Sequence, residues 1–291
     1  MSISNSLTTT QKKSTFSVFM ASDAVKTKIN QMMSGPNGEK FTTSLVSLVA
    51  NNPAIAECEH ATIFASALLG ESLKLSPSPQ LGQFYIVPFK DNKHNRTVAQ
   101  FQLGYKGYIQ LAIRSGYYKK LNVLAIKEGE LIKYDPLNET IEVRLIEDDE
   151  EREKTETIGY YAMFEYQNGF TKTMYWSKAK MQAHAQKYSQ AYKTDLVKDW
   201  SYSFWSKDFD GMAFKTMLRQ LISKWGIMSV EFQTAITNDM AVITETGQPE
   251  YVDNAIDAEY ESEPNETYPN NAQSEPVQPL QEQYNPLRNF D

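Results

Sequence analysis

Residues 98–116 read Val98-Ala-Gln-Phe-Gln-Leu-Gly-Tyr-Lys-Gly-Tyr-Ile-Gln-Leu-Ala-Ile-Arg-Ser-Gly116, and the spacing of the apolar residues changes at Gly104. The residues before this glycine are typical of a β-strand, since branched and aromatic side chains fit a pleated surface. The apolar residues after it recur at helical spacing, which predicts a helix over 105–115. A second strand-like run, 82–89, lies upstream beyond a polar loop, so this part of the chain predicts a β-hairpin followed by a helix.

The same patterns predict structure on both sides of this unit. Asn51-Asn52-Pro53 separates two helical segments, Gln167-Asn-Gly169 is a strong signal for a hairpin turn, and Ser177 is a suitable N-cap. The further predicted elements are helices over 41–50 and 54–69, strands over 122–127, 141–146, 157–166 and 170–175, and helices over 177–188, 204–224 and 229–236. We therefore predict an α+β fold with one antiparallel β-meander flanked by helices.

The length and composition indicate one core domain with appendages. The chain has 291 residues, of which 41% are apolar, enough for one sizeable core. Residues 249–291 contain ten acidic residues against Arg288, a net charge of −9, in a Pro- and Asn/Gln-rich pattern that is typical of disorder. We predict a flexible N-terminus over 1–20, a core over 21–248 and a disordered acidic tail over 249–291.

The cysteine content and the apolar runs bear on the compartment. Cys58 is the only cysteine, which excludes an internal disulfide and is compatible with the cytoplasm. The Ser/Thr-rich segment 1–13 has no apolar signal region, and no apolar run approaches the length of about 18 residues that a membrane span needs. We therefore expect a cytoplasmic protein with no membrane contact.

The net charge of −7 is unevenly distributed along the chain. Residues 171–226 contain ten basic and four acidic residues, a net of +6, whereas residues 147–156 contain seven acidic and two basic residues, a net of −5. This zoning fits a nucleic-acid-binding protein with acidic appendages, and it fits equally well a lysine-rich face that contacts only water.

The predicted helix 105–115 has a polar stripe. Lys106, Gln110 and Arg114 stand at positions i, i+4 and i+8, which places them on one face. Two cations and an amide that begin at a glycine-opened helix N-terminus can follow a phosphate backbone. An ordinary solvent-exposed face is the alternative.

The predicted helix 204–224 brings Lys215 and Arg219 together, one turn apart. Like charges at this spacing destabilise a helix, so the pair calls for an anion such as a DNA phosphate. Lys224 falls near the opposite side and is assigned to solvent.

Aromatic and basic residues alternate just upstream of that pair, at Trp205, Lys207 and Phe209. Bases of single-stranded DNA can stack on such rings with about 1–3 kcal/mol each. The alternative is that these rings belong to the core.

Catalytic interpretations have less support. The segment 35–40 lacks the spacing of a phosphate-binding loop, and the three histidines are isolated from each other in sequence, which does not suggest a zinc site. Two acidic pairs, Glu128 with Glu130 and Asp208 with Asp210, could bind Mg²⁺ as in a nuclease, but such pairs usually face water. We expect no catalytic residue, no metal site and no cofactor.

Five stretches of the chain together carry a resemblance. They are Leu73-Lys-Leu-Ser-Pro77, Gly82-Gln-Phe-Tyr-Ile-Val-Pro-Phe89, Gln102 to Gly116, Lys127-Glu-Gly-Glu130 and Met212-Ala-Phe-Lys-Thr-Met-Leu-Arg219. In this order they resemble the RecT family of phage single-strand DNA annealing proteins, from about residue 41 to 237. The sequence departs from the family pattern at Phe214, where a lysine is common, at Phe204, where a proline is usual, and in the acidic insert 147–156.

The resemblance implies an ATP-independent recombinase that is not an enzyme in the usual sense. Such a protein binds single-stranded DNA along a narrow basic groove, oligomerises into rings or helical filaments, and pairs the strand with its complement to give annealed duplex DNA. It acts in the cytoplasm of a bacterium that carries the phage or prophage. The predicted DNA contacts are Lys106, Arg114, Lys215 and Arg219 for phosphates, Gln110 and Lys207 beside them, and the rings of Tyr105, Trp205 and Phe209.

The acidic tail has three interpretations: a docking segment for another replication or recombination protein, a DNA mimic that covers the basic groove, or a solubilising segment. Aromatic residues spaced along it favour docking, with a cognate exonuclease or the host single-strand binding protein as partners. Two functions other than annealing also remain open, a DNA-binding scaffold without annealing activity and a Mg²⁺-dependent nuclease.

Overall fold

The structure, a computed structural model, describes residues 15–251 apart from Ser34, Pro79, Asn92 and Glu245. Most of the predicted N-terminal segment, 1–14, and most of the predicted tail, 252–291, lie outside the described residues. The helices are α1 (Phe16–Met20), α2 (Asp23–Met32), α3 (Pro36–Ala50), α4 (Pro53–Ala56), α5 (His60–Ser72), α6 (Tyr105–Ser115), α7 (Asp149–Lys154), α8 (Lys178–Tyr188), α9 (Gln190–Lys198), α10 (Phe204–Lys207), α11 (Phe209–Trp225) and α12 (Val230–Thr237). The strands are β1 (Phe84–Asp91), β2 (Arg96–Leu103), β3 (Tyr118–Lys127), β4 (Leu131–Asp135), β5 (Thr140–Val143), β6 (Thr157–Tyr166), β7 (Thr171–Ser177), β8 (Ala241–Ile243) and β9 (Pro249–Glu250).

The strands pair in antiparallel fashion and lie among the helices, which confirms the α+β class. They form three sheets, with the strand orders β1-β2-β8-β9, β3-β6-β7 and β4-β5. The predicted single meander is thus divided, because β8 returns from the C-terminal part of the chain and pairs with Gln100 and Phe101 of β2. A strand of three residues is too short to show a periodic pattern, so the sequence does not reveal it.

The hairpin and the helix predicted around Gly104 are both confirmed. Strand β1 pairs with β2 in the register that sets Phe84 opposite Leu103, and α6 follows directly. The rings of Phe84 and Phe101 stack at 5.1 Å and are fully buried. A Cβ on Gly70 of α5 would stand 2.1 Å from the Phe84 ring, so α5 needs a glycine to pack this closely on the sheet.

The three-stranded sheet packs against α11. Tyr160 and Phe164 of β6 are fully buried, as are Met217 and Leu218 of α11. Burying a large apolar side chain contributes about 1.5–3 kcal/mol, so this layer fixes the position of the helix that carries Lys215.

Asp208 divides the predicted helix 204–224 into α10 and α11. Its φ of −148° is not helical, and its carboxylate accepts a hydrogen bond from the backbone N–H of Gly211 at 2.9 Å. This is the geometry of an N-cap, so a new helix begins there. The segment 189–203, which carries no clear pattern, contains the additional helix α9.

Described secondary structure extends beyond the predicted core, 21–248, at both ends. Phe16 and Met20 of α1 are buried, and the Phe16 ring lies 5.4 Å from the His60 ring. At the other end β9 pairs with β8, and Glu250 lies 3.8 Å from Arg96. Apolar residues four apart explain the first difference. Antiparallel pairing of β9 with the strand just before it explains the second.

In the part of the chain that the structure describes, no helix is both long and apolar enough to cross a membrane.

Candidate nucleic-acid interface

Asp239 is the centre of a buried ion cluster between α11 and β2. Its carboxylate accepts hydrogen bonds from Lys215 Nζ at 2.9 Å and from Arg219 Nη1 at 2.8 Å. The backbone N–H of Leu103 and the hydroxyl of Tyr108 donate to the same carboxylate at 2.8 and 3.4 Å. The Lys215 side chain is 8% exposed and that of Arg219 is 18% exposed, so both cations point into the protein.

This arrangement differs from the predicted role of Lys215 and Arg219. The pair does need an anion, as its spacing requires, but Asp239 supplies it in place of a phosphate. A helical wheel shows the faces of one helix only. It cannot show the Asp239 carboxylate, because Asp239 lies in the segment after α12. We therefore assign both cations to the fold and leave them out of the proposed DNA contacts.

The polar stripe of α6 lies on the surface. Lys106, Gln110 and Arg114 are all exposed, as their spacing predicts. Arg114 also donates to the backbone carbonyl oxygens of Leu73 at 2.6 Å and Lys74 at 3.3 Å, which ties the end of α6 to the loop after α5. A contact between the stripe and DNA stays a prediction.

The three aromatic residues predicted to contact DNA pack with the core. Trp205 is buried, and its ring lies 5.1 Å from that of Phe209. Tyr105 is partly buried and its ring lies 5.6 Å from that of Phe214. The alternative that these three rings belong to the core therefore describes them better. Lys207, which was predicted to lie beside them, is exposed on α10.

A cleft of about 800 Å³ opens between the four-stranded sheet and the segment that runs from the end of α8 to α10. Its floor is formed by β1 and β2. Three of its aromatic side chains are exposed, Trp200 by 46%, Tyr202 by 71% and Phe204 by 40%. Lys187 and Lys193 line the same cleft. Binding sites for single-stranded nucleic acid combine exposed aromatic rings with basic side chains in this way.

Asp195 fixes the loop that carries Trp200. Its carboxylate accepts hydrogen bonds from the Ser206 hydroxyl at 2.6 Å and the Ser203 backbone N–H at 2.7 Å, and its carbonyl oxygen accepts from the Trp200 N–H at 2.9 Å. These hydrogen bonds, that of the Ser206 hydroxyl above all, lower the pKa of Asp195 to about 2. The carboxylate is therefore charged at neutral pH and holds the loop in shape.

Tyr85 of β1 connects the cleft with α6. Its ring lies 6.0 Å from that of Phe204. A Cβ on Gly82 would meet both the Tyr85 hydroxyl at 3.1 Å and Lys106 Cδ at 3.4 Å, which places Lys106 beside Tyr85. Burial, the Asp208 carboxylate and Tyr105 raise the pKa of Tyr85, so its hydroxyl is a neutral hydrogen-bond donor.

These side chains form one continuous surface from α6 into the cleft, which we name the aromatic–basic track. Its residues are Tyr85, Lys106, Lys187, Lys193, Trp200, Tyr202 and Phe204. Lys198 adds a further ammonium group, 4.4 Å from the centre of the Trp200 ring. The sequence pattern does not select Tyr85, because a tyrosine in a strand is usually part of a sheet surface.

Three of the four carboxylates considered for a nuclease site have partners within the protein. Asp208 caps α11, Asp210 accepts a hydrogen bond from Tyr160 at 2.6 Å, and Glu130 is buried and paired with Arg152. Among residues 15–251, with the exceptions named above, no three potential metal ligands lie together as a metal ion requires.

The RecT family model matches residues 39–253, about three quarters of the sequence. The chain belongs to the RecT family. It is 40% identical over 229 residues to the uncharacterized protein YqaK of Bacillus subtilis (strain 168), covering 79% of this chain and 73% of YqaK. It is 26% identical over 189 residues to protein RecT of Escherichia coli (strain K12), covering 64% of this chain and 65% of that protein.

Membership gives this RecT-family chain a general role in DNA binding and in DNA recombination by single-strand annealing. Proteins of the family are annealing proteins and not classical enzymes. All residues of the aromatic–basic track fall within the matched region.

Proposed function

We propose that the protein binds single-stranded DNA along the aromatic–basic track, self-associates, and pairs the bound strand with its complement without ATP. The observation that carries this proposal is the continuity of rings and lysines from Lys106 through the half-buried Tyr85 to the exposed rings of Phe204, Trp200 and Tyr202. The stripe of α6 extends the same surface through Gln110 and Arg114.

The chemistry of the track suits a protein that leaves pairing to the DNA itself. Lysine ammonium groups neutralise phosphates, and rings such as Trp200 and Tyr202 support bases by stacking, without reading their edges. The Watson–Crick edges stay available to a second strand. Base pairing then provides both the test of sequence and a stacking gain of about 1.4 kcal/mol per step, so no nucleotide hydrolysis is needed to drive annealing.

Binding of a short oligonucleotide should depend steeply on salt. If about six phosphates are neutralised per protomer, the slope of log K against log[salt] is about −4, and affinity falls a few hundred-fold from about 50 to about 200 mM salt. Fluorescence anisotropy at several salt concentrations measures this slope. Lys106→Ala should make it shallower by about 0.7, while Lys224→Ala, on an exposed site away from the track, should leave it unchanged. A wild-type slope shallower than about −1 would contradict the proposed phosphate contacts.

We propose that the acidic tail, 249–291, docks on other proteins of replication or recombination, a cognate exonuclease or the host single-strand binding protein among them. Deleting it should leave annealing of naked strands intact or slightly faster, because the track lies in the core. Recombination in bacterial cells, where strands are coated by the host protein, should be abolished. Loss of naked-strand annealing by the shortened protein would show that these residues belong to the annealing core.

A further inference from the structure

Aromatic and basic side chains form a row along one side of α8, next to the cleft. The row consists of Trp176, near the end of β7, and of Lys180, His184 and Tyr188 on the helix itself. These residues follow one another at intervals of four, which places them on one side of a helix. We name this row the α8 ladder.

The side chains of the α8 ladder contact one another in order. The His184 ring lies 5.3 Å from the Trp176 ring and 4.6 Å from the Tyr188 ring. Lys180 Nζ lies 4.5 Å from the centre of the Trp176 ring, and Lys187 Nζ lies 4.7 Å from the centre of the Tyr188 ring. The ladder is therefore a continuous strip of rings with an ammonium group over each end.

Packing on the inward face of α8 fixes the position of the ladder. Met181 and Ala185 are buried there. At the start of the helix, the Ser177 hydroxyl accepts a hydrogen bond from the Lys180 N–H at 3.2 Å. The rings are thus presented from a rigid support, which lowers the cost of binding a ligand.

One end of the α8 ladder meets the aromatic–basic track. Lys187 and Tyr188 line the cleft that also contains Trp200 and Tyr202, whereas Trp176 lies outside this cleft. The ladder therefore leads from the mouth of the cleft along the outside of α8.

The segment that carries the α8 ladder is basic. Residues 177–194 contain four lysines and no acidic residue. Lys178 is paired with Glu156 at 2.8 Å, across from the neighbouring segment. The remaining positive charge along α8 suits a polyanion such as a DNA strand.

The rings of the ladder are less available to bases than those of the cleft. Trp176, His184 and Tyr188 are partly buried, whereas Tyr202 is 71% exposed. A base that stacks on Trp176 must displace the Lys180 ammonium group from a favourable cation–π contact, which offsets part of the stacking energy. The displaced ammonium group can then contact a phosphate. We expect the ladder to bind a strand more weakly than the track does and to release it faster.

We propose that the α8 ladder captures the second, incoming strand while the first strand occupies the aromatic–basic track. This inference rests on the proposed function, because it takes the track as the site of the first strand. Weak binding suits the role, since a strand that is not complementary must leave before another is tried. Contacts to phosphates and ring faces leave the base edges of the incoming strand free for pairing. The junction at Tyr188 brings that strand to the mouth of the cleft.

The test separates capture of the second strand from binding of the first. The full chain is loaded with one short labelled oligonucleotide, whose affinity is measured by anisotropy. Its labelled complement is then added in increasing excess, and energy transfer gives the annealing rate. We expect the rate to saturate, and the half-saturating concentration of the complement then measures capture. A wild-type rate that stays proportional to this concentration throughout would overturn the proposal, because no captured state would exist.

Two ladder variants and one control apply this test to the proposed residues. Lys180→Glu should raise the half-saturating concentration about ten-fold or more, because it places an anion at an exposed position of the ladder. Trp176→Leu keeps an apolar side chain against the core but removes the ring, and should raise this concentration about three-fold or more. Lys224→Glu makes the same charge change at an exposed position of α11 and should leave it unchanged. All three should bind the first strand within about two-fold of wild type.

The possible results distinguish this proposal from the alternatives. Normal capture by either ladder variant, or an equal defect in Lys224→Glu, would overturn it. A ladder variant that loses affinity for the first strand as much as for the second would overturn it too, and would show that α8 only prolongs the path of the first strand. A wild type that does not bind the first strand would overturn the proposed function itself, and the capture site with it. Thermal unfolding of each variant confirms that it is folded, and the exposed position of Lys180 keeps the test independent of core packing at Trp176.

Discussion

Replacing Trp200 and Tyr202 together by alanine should weaken binding of a short single-stranded oligonucleotide by about 100-fold or more. Each ring stacked on a base contributes about 1–3 kcal/mol, and both side chains are exposed in the cleft. Stability should change little, because Tyr202 is 71% exposed and the loop is held by Asp195 through Ser203 and Ser206. Fluorescence anisotropy with an oligonucleotide too short for two protomers measures the loss.

Tyr117→Ala is the control for that experiment. Tyr117 is similarly exposed, at 47%, but it lies between α6 and β3 and is not part of the track. Its replacement should leave affinity for the short oligonucleotide within about two-fold of wild type, as expected for a ring without a stacked base. Equal losses for the control and the double variant would mean that the cleft is not the binding site.

Asp239→Asn should destabilise the protein by about 3–5 kcal/mol, because it leaves Lys215 and Arg219 together without the buried anion. In a domain of this size such a loss lowers Tm by roughly 6–20 °C. Urea and thermal unfolding followed by circular dichroism measure the two quantities.

Lys215→Met distinguishes the ion cluster from a general effect of substitution in the core. The methionine keeps an apolar stem of similar length, and Asp239 retains Arg219 at 2.8 Å. Its loss of stability should be less than half that of Asp239→Asn, since one cation then faces one anion. If the Asp239→Asn variant is as stable as the wild type, Lys215 and Arg219 become candidate DNA contacts again.

Local patterns in the sequence predict most of the secondary structure. Helix 105–115 and the hairpin before it are confirmed because glycines mark their ends and their side chains follow one clear period. Ser177 caps α8, and its hydroxyl accepts from the Lys180 N–H at 3.2 Å. The exposure of Lys106, Gln110 and Arg114 follows from the same spacing.

The parts that the sequence does not predict depend on contacts between distant residues. Lys215 and Arg219 share a helix face with no sign of their partner, because Asp239 lies beyond α12. Tyr85 reaches the candidate site only because β1 passes beside α10, where Phe204 meets its ring. Periodicity describes one element at a time and contains no information about such pairs.

The central claim is annealing without ATP by a protein that holds its strand in the aromatic–basic track. The most direct measurement follows two complementary labelled oligonucleotides by energy transfer, with the full chain, with EDTA and without any nucleotide. We predict annealing at least ten times faster than the spontaneous reaction, full-length product strands, and no acceleration by the variant that lacks Trp200 and Tyr202. A protein that binds both strands yet leaves the annealing rate at its spontaneous value would contradict the account.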